Sequence, residues 1–184
     1  MNPILKLDAA GTPIKWIDYE KAAYYITKGL VAWSPGTLST TLMGGTNRHG
    51  EQSTLTLPSI MAIKGRICVR RSIPRLDKPS LLRRDRYTCA YCGGVFKAGD
   101  LQMEHIIPES RDGKAIWQNL VSACGYCNNK KAAKTPEEAG MKLLYVPYVP
   151  NMHEGLILEG RKILADQHDF LMAGVPKHSR LRLS

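Results

Sequence analysis

Two cysteine pairs, each with two intervening residues, are the first feature of the sequence with chemical meaning. They span Cys89–Cys92 and Cys124–Cys127. A tight turn can point both thiols of a pair to one side, so two pairs can supply the four ligands of a tetrahedral zinc ion. A zinc closed by four protein ligands has no open position for substrate and is therefore structural. The other interpretation is two redox dithiols, which would be unusual in one small chain.

The distance between the pairs indicates that more than a zinc site lies here. Thirty-one residues separate Cys92 from Cys124, whereas a plain zinc ribbon has about 15–20 at this point. The fifth cysteine, Cys68, has no partner at ligand spacing and stands in an apolar run. We expect it to be a buried strand residue rather than a ligand.

An acid next to a histidine is the chemically notable feature of the insert. Glu104 and His105 occur in the apolar segment 101–107, which we expect to be the first strand of a β-hairpin, with residues 111–113 as a turn signal. Adjacent side chains of a strand point to opposite faces. A bend before Pro108 is therefore needed for both residues to serve one site. The second cysteine pair then brings Asn128 into a helix whose start the zinc holds in place.

These segments together resemble the signature of the HNH endonucleases in its zinc-bearing, four-cysteine form. The segments that carry the resemblance are Glu104–Pro108, Asn119–Val121 and Cys124–Lys130, and the resemblance covers about residues 78–140. The stretch before it, with residues 5–8, 16–17 and 29–33, is similar in layout to the front part of a bacterial and phage HNH subfamily.

The resemblance implies a role for each site residue. It assigns His105 as the general base, Glu104 as an acidic ligand of a catalytic divalent metal, and Asn128 as a second ligand of that metal. It assigns Asn119 to bracing the loop beside the histidine. Two departures are that the acid is more often Asp and that Asn128 is often His. Both variants keep oxygen ligands suited to Mg²⁺ or Mn²⁺, and the family implies products with a 5′ phosphate.

We therefore expect an α+β fold containing a ββα-metal (HNH) nuclease module with a structural zinc held by the four paired cysteines. The expected regions are a small α+β N-terminal region over 1–76, the nuclease module over 77–146, and a C-terminal helical extension with a basic tail over 147–184. For the N-terminal region we form the hypothesis of a DNA-binding platform.

Local patterns predict the elements around the module. A strand over 14–17 leads into a helix capped by Asp18 and ended by Gly29. We expect further strands over 30–33, 55–57 and 60–69, a loop or hairpin tip over 43–53, and a short helix over 80–84. In the C-terminal part, we expect a helix from Pro136 to about Leu144 and a second helix from Asn151 to Gly174.

The charge balance favours a polyanionic partner. The 184 residues include 26 Lys and Arg against 16 Asp and Glu, a net charge of +10, while 43% hydrophobic and 23% charged residues are ordinary for a globular protein. Nucleic acid is the commonest partner of such a chain. The residues that we assign to DNA contact are Arg84, Arg86, Lys130, Lys131 and Lys134, and Arg70, Arg71 and Arg75 extend that surface.

Membrane and secretion signals are not expected. No stretch approaches the roughly 20 apolar residues that span a bilayer. Lys6 and Asp8 occupy the place where a signal peptide would have its apolar core. We expect a cytoplasmic protein of a bacterial cell or a phage-infected host.

The function predicted from these observations is hydrolysis of DNA phosphodiester bonds, by nicking or double-strand cleavage. The alternative is a non-catalytic, zinc-stabilised module that binds nucleic acid. A protein that only binds nucleic acid would not need Glu104, His105 and Asn128 together, so the sequence favours the enzyme. A protein-interaction domain explains the charge poorly.

Overall fold

The computed structural model describes residues 2–65, 73–160, 162–177 and 179–182. Cys68, Arg70, Arg71 and the end of the strand predicted over 60–69 lie outside the described residues. The fold is a mixture of helices and strands, and it divides into two compact units. The first comprises Met1–Ser72 and Met152–Ser179, and the second comprises Ile73–Asn151 and Arg180–Ser184.

The first unit is built on a four-stranded sheet in the order β2 (Pro13–Ile17), β1 (Ile4–Leu7), β6 (Ile60–Ile63) and β3 (Val31–Trp33). Strand β1 pairs with β2 in the antiparallel sense and with β6 in the parallel sense, and β3 pairs antiparallel with β6. Successive side chains of a strand point to opposite faces, so the consecutive apolar residues of β1 and β6 give this sheet two apolar faces.

Each face of the sheet is covered by helices of the same unit. Helix α1 (Tyr19–Thr27) is capped at its N-terminus by Asp18, whose carboxylate accepts from the backbone N–H of Lys21, as predicted. The Ala22 side chain of α1 is buried with Ile4 and Met61 on one face of the sheet. On the other face, Leu156 and Leu171, from the helices α4 (Met152–Glu159) and α5 (Ala165–Ala173), pack with Leu5 and Ile60.

A second sheet in this unit consists of two strands only. Strands β4 (Ser39–Thr46) and β5 (Gln52–Pro58) are antiparallel and are joined by residues 47–51. A loop or hairpin tip was predicted over the glycine-rich stretch 43–53, but both strands extend into this stretch. Leu42, Leu55 and Leu57 anchor the base of this sheet in the core, whereas the part towards the tip is exposed.

The second unit holds the predicted module. Helix α2 (Lys78–Arg84) includes the short helix predicted over 80–84. Strand β7 (Leu101–His105) pairs antiparallel with β8 (Leu120–Cys124), and helix α3 (Gly125–Lys131) follows directly. Strand β7 ends at His105, two residues before the predicted end.

Two helix predictions for the C-terminal part are wrong. The stretch after Pro136 forms a single turn, although Thr135 and Glu138 make the reciprocal hydrogen bonds of a capping box. Gly140 then takes a left-handed φ of +62°, which ends the turn because a right-handed helix cannot continue through it. The helix predicted from Asn151 to Gly174 is instead two helices, α4, which ends at Glu159, and α5, which begins at Ala165.

Candidate functional site

The four paired cysteines come together in the second unit. Cys124 ends β8 and Cys127 lies in the first turn of α3, opposite Cys89 and Cys92. All four are free thiols, and their Sγ atoms lie within 4.8 Å of one another, with Cys92 and Cys124 at 4.0 Å. Zinc–sulfur bonds of about 2.3 Å require tetrahedral S–S distances of about 3.8 Å. The four cysteines could therefore hold zinc.

Backbone hydrogen bonds hold the first pair against the strand that bears the second. The N–H of Gly93 donates to the carbonyl of Cys89, and Gly93 has a φ of +75° that favours glycine. The N–H of Ala90 donates to the carbonyl of Ser122 in β8. These backbone hydrogen bonds place the two cysteine pairs next to each other.

The electrostatics of the thiols favour a cation among them. Burial raises the pKa of Cys89, but the backbone N–H groups of Cys124, Cys92 and Tyr91 more than offset it and bring this pKa to about 7. Burial and the neighbouring thiols raise the pKa of Cys127 well above its usual range. A site that favours ionisation of Cys89 and opposes ionisation of Cys127 suits a metal ion, which would stabilise the second thiolate.

His105 stands at the end of β7 with its imidazole largely buried. Its Nε2 atom has no hydrogen-bond partner among the described residues. The nearest charged atom is Oε1 of Glu109, at 3.4 Å, and the Glu109 side chain is 75% exposed. A histidine with an uncommitted nitrogen beside an exposed carboxylate can accept a proton and be stabilised once charged.

Glu104 points to the other face of β7 and contacts α3. Its Oε1 accepts from Nζ of Lys131 at 2.7 Å, and the Lys131 side chain is fully buried. Two residues earlier on the same face, the amide of Gln102 accepts from Nδ2 of Asn128. The side chains of Glu104 and Asn128 therefore both lie between β7 and α3.

Asn119 connects two points of the loop that follows His105. Its Oδ1 accepts from the N–H of Ile107 at 2.9 Å, and its Nδ2 donates to the carbonyls of Ile107 and Lys114 at 3.1 and 3.0 Å. Gly113 allows the loop to close this tightly, because a Cβ there would lie 1.8 Å from the carbonyl oxygen of Ile107.

The basic residues assigned to DNA contact fall into two groups. Lys130 and Lys134 are exposed and Arg86 is half-buried. Arg84 and Lys131 are fully buried, which corrects their placement on a basic surface. The guanidinium of Arg84 donates to Asp85 and to the carbonyls of Trp117, Leu120 and Tyr148.

Sequence reasoning missed Gln102 and Glu109 as parts of this site. The signal for Gln102 was its position two residues before Glu104, which places both on one strand face. The only signal for Glu109 was its proximity in sequence to His105, since the chain turns at Pro108 into a short 3-10 helix (Glu109–Arg111).

No helix in the described part of the chain has the length and apolar character to cross a membrane. A search of curated proteins found no match to this chain. Residues 89–144 match the family model described as HNH endonuclease. That match confirms the resemblance, and it indicates a nuclease module with a nucleic-acid substrate and four cysteines that could bind zinc.

Proposed function

We propose that the protein is a metal-dependent DNA endonuclease that hydrolyses phosphodiester bonds. The observation that carries the proposal is the uncommitted Nε2 of His105 within the segment that matches the HNH endonucleases. Phosphodiester hydrolysis requires a base for the attacking water, and a positioned histidine is the commonest one.

His105 accepts the proton of the attacking water on Nε2. For water to reach this buried atom, the Glu109 side chain turns away into solvent, which its 75% exposure permits. After the transfer, the Glu109 carboxylate stabilises the imidazolium. Asn119 acts as a positioning residue, since its three hydrogen bonds hold the backbone next to the base.

Glu104 and Asn128 are the residues that would hold the catalytic divalent cation. They offer carboxylate and amide oxygens, which Mg²⁺ and Mn²⁺ prefer. The donor set fits such a cation, because Lys131 engages only Oε1 of Glu104 and Asn128 uses its Nδ2 to bond Gln102. The bound cation would supply charge stabilisation of the phosphate in the transition state.

The exposed cations Lys130 and Lys134, together with Arg86, bind phosphates that flank the scissile bond. For residues 1–76 we propose a DNA-binding platform. Its β4–β5 sheet is a two-stranded ribbon with Arg48 exposed near the tip, a shape that can enter the major groove. Weaker duplex binding by Arg48→Ala would support this role, and unchanged binding would count against it.

The first experiment is cleavage of supercoiled plasmid by the purified chain with Mg²⁺, Mn²⁺ or EDTA, with zinc content measured in each sample. We expect metal-dependent nicking that His105→Ala abolishes. His168→Ala, which removes an exposed histidine in α5 of the first unit, is the matched control and should cleave normally. Folded, zinc-loaded wild type that binds DNA without cutting it under any metal would favour a non-catalytic binding module.

A further inference from the structure

Two side-chain pairs connect β7 to α3 at the proposed divalent site. Gln102 pairs with Asn128 and Glu104 with Lys131. Asn128 and Lys131 are three residues apart, so both stand on the helix side that faces the strand. Lys131 is 0% and Glu104 only 13% exposed, so solvent screens their interaction poorly.

We propose that Lys131 acts as an internal counter-ion which keeps the divalent site weak until a DNA phosphate arrives. This inference rests on the proposed function, because it concerns the same site. Lys131 neutralises the one carboxylate of the proposed metal ligands, so these ligands and Lys131 together carry no net negative charge for a cation in the DNA-free protein.

The ligand set supports this assignment. Within the described ranges, the four cysteines are the one group of three or more His, Cys, Asp or Glu residues placed to share a metal ion, so no such group includes Glu104. Asn128 contributes a neutral amide. Mg²⁺ is usually held by one or two carboxylates together with substrate phosphates, and here the ammonium offsets the single carboxylate.

A phosphate of the bound substrate would change that balance. It adds negative charge and oxygen ligands beside Glu104, so the cation binds the DNA complex more tightly than the free protein. Reciprocity requires that the cation then strengthens DNA binding by the same factor. Because Lys131 keeps metal binding to the DNA-free protein weak, the cation binds mainly after the DNA substrate has bound.

The test is a Mn²⁺ titration, followed by electron paramagnetic resonance, of the full-length zinc-loaded chain without DNA. Removing a buried positive charge in contact with the ligand should tighten Mn²⁺ binding by Lys131→Met about ten-fold or more. Lys130→Met is the matched control, since it removes an exposed charge from the neighbouring position, and its DNA-free Mn²⁺ affinity should change less than about two-fold. Unchanged or weaker binding by Lys131→Met would overturn the proposal.

A second measurement serves if Lys131→Met does not fold, as judged by circular dichroism and zinc content. His105→Ala is titrated with Mn²⁺ in the absence and presence of a short duplex. We expect the duplex to tighten Mn²⁺ binding about ten-fold or more, and equal affinities would refute the coupling. Wild type that cleaves plasmid but binds Mn²⁺ equally with and without DNA overturns only this inference, whereas absence of cleavage concerns the proposed function.

Discussion

The β4–β5 sheet of the first unit and the β7–β8 sheet of the second each consist of two antiparallel strands, in different surroundings. Residues 43–54 of the β4–β5 sheet are exposed on both faces. All five residues of β8 are buried, and Leu101 and Val121 pack with Leu82 of α2 and with three of the cysteines, Cys89, Cys124 and Cys127. The first sheet closes over residues 47–51, the second over the longer loop 106–119.

This difference shows how a small sheet can support chemistry. An isolated two-stranded sheet is marginally stable in water, and it holds exposed side chains loosely. Burial of β8 and the hydrogen bonds of Asn119 instead hold the end of β7 at a defined position. A catalytic group must be held within fractions of an ångström, so the candidate residues belong to the buried sheet.

The largest expected effect comes from removing zinc. In structural zinc sites, the metal contributes about 10 kcal/mol or more to folding. Cys124→Ser or chelation should therefore unfold the β7–β8 sheet while β4–β5 keeps its structure. Hydrogen exchange with mass spectrometry measures both sheets in one sample, and protected β8 amides in the zinc-free protein would contradict the prediction.

Arg84→Ala should be the next most damaging change. It leaves buried Asp85 without its ion pair and three backbone carbonyls without their donor, a loss of about 3–5 kcal/mol in the free energy of unfolding. Urea denaturation measures it. Lys78→Ala, at the exposed start of the same helix, is the control. If Arg84→Ala keeps its stability and loses only DNA affinity, the assignment of Arg84 to DNA contact would be right after all.

Asn119→Ala should cost less, about 1–3 kcal/mol, because it removes three hydrogen bonds to the loop backbone but no charge. Exchange of the Ile107 amide should accelerate more than exchange in β4–β5. Gln118→Ala, an exposed neighbour, is the matched control. If Asn119→Ala and Gln118→Ala lower the free energy of unfolding equally, the hydrogen bonds of Asn119 do not stabilise the loop as predicted.

Arg48→Ala should have the smallest effect on stability. The side chain is exposed near the tip of β4–β5, and surface changes of this kind stay within about 0.5 kcal/mol. Urea denaturation again gives the comparison with Arg84→Ala. A loss of several kcal/mol would mean that the tip of this sheet is packed, and the contrast between the two sheets would disappear.

Sequence patterns predicted elements well where the determining contacts are local. Asp18 caps α1 through a residue three positions away, and Cys89 and Cys124 each have their partner thiol three residues on. The helix predicted after Pro136 failed although its capping hydrogen bonds formed. A cap starts a helix, but its length depends on burial of a helical face and on residues such as Gly140 that end it.

The sequence by itself determined the arrangement of the two thiols within each cysteine pair and the opposed directions of Glu104 and His105. Both follow from short-range geometry: the reach of a two-residue turn and the alternation of a strand. Tertiary structure alone decided that Arg84 and Lys131 are interior. A basic side chain is buried only where its charge and its hydrogen-bond donors are satisfied. Arg84 pairs with the adjacent Asp85 but also needs the Leu120 carbonyl, 36 residues away, and Lys131 needs Glu104, 27 residues away.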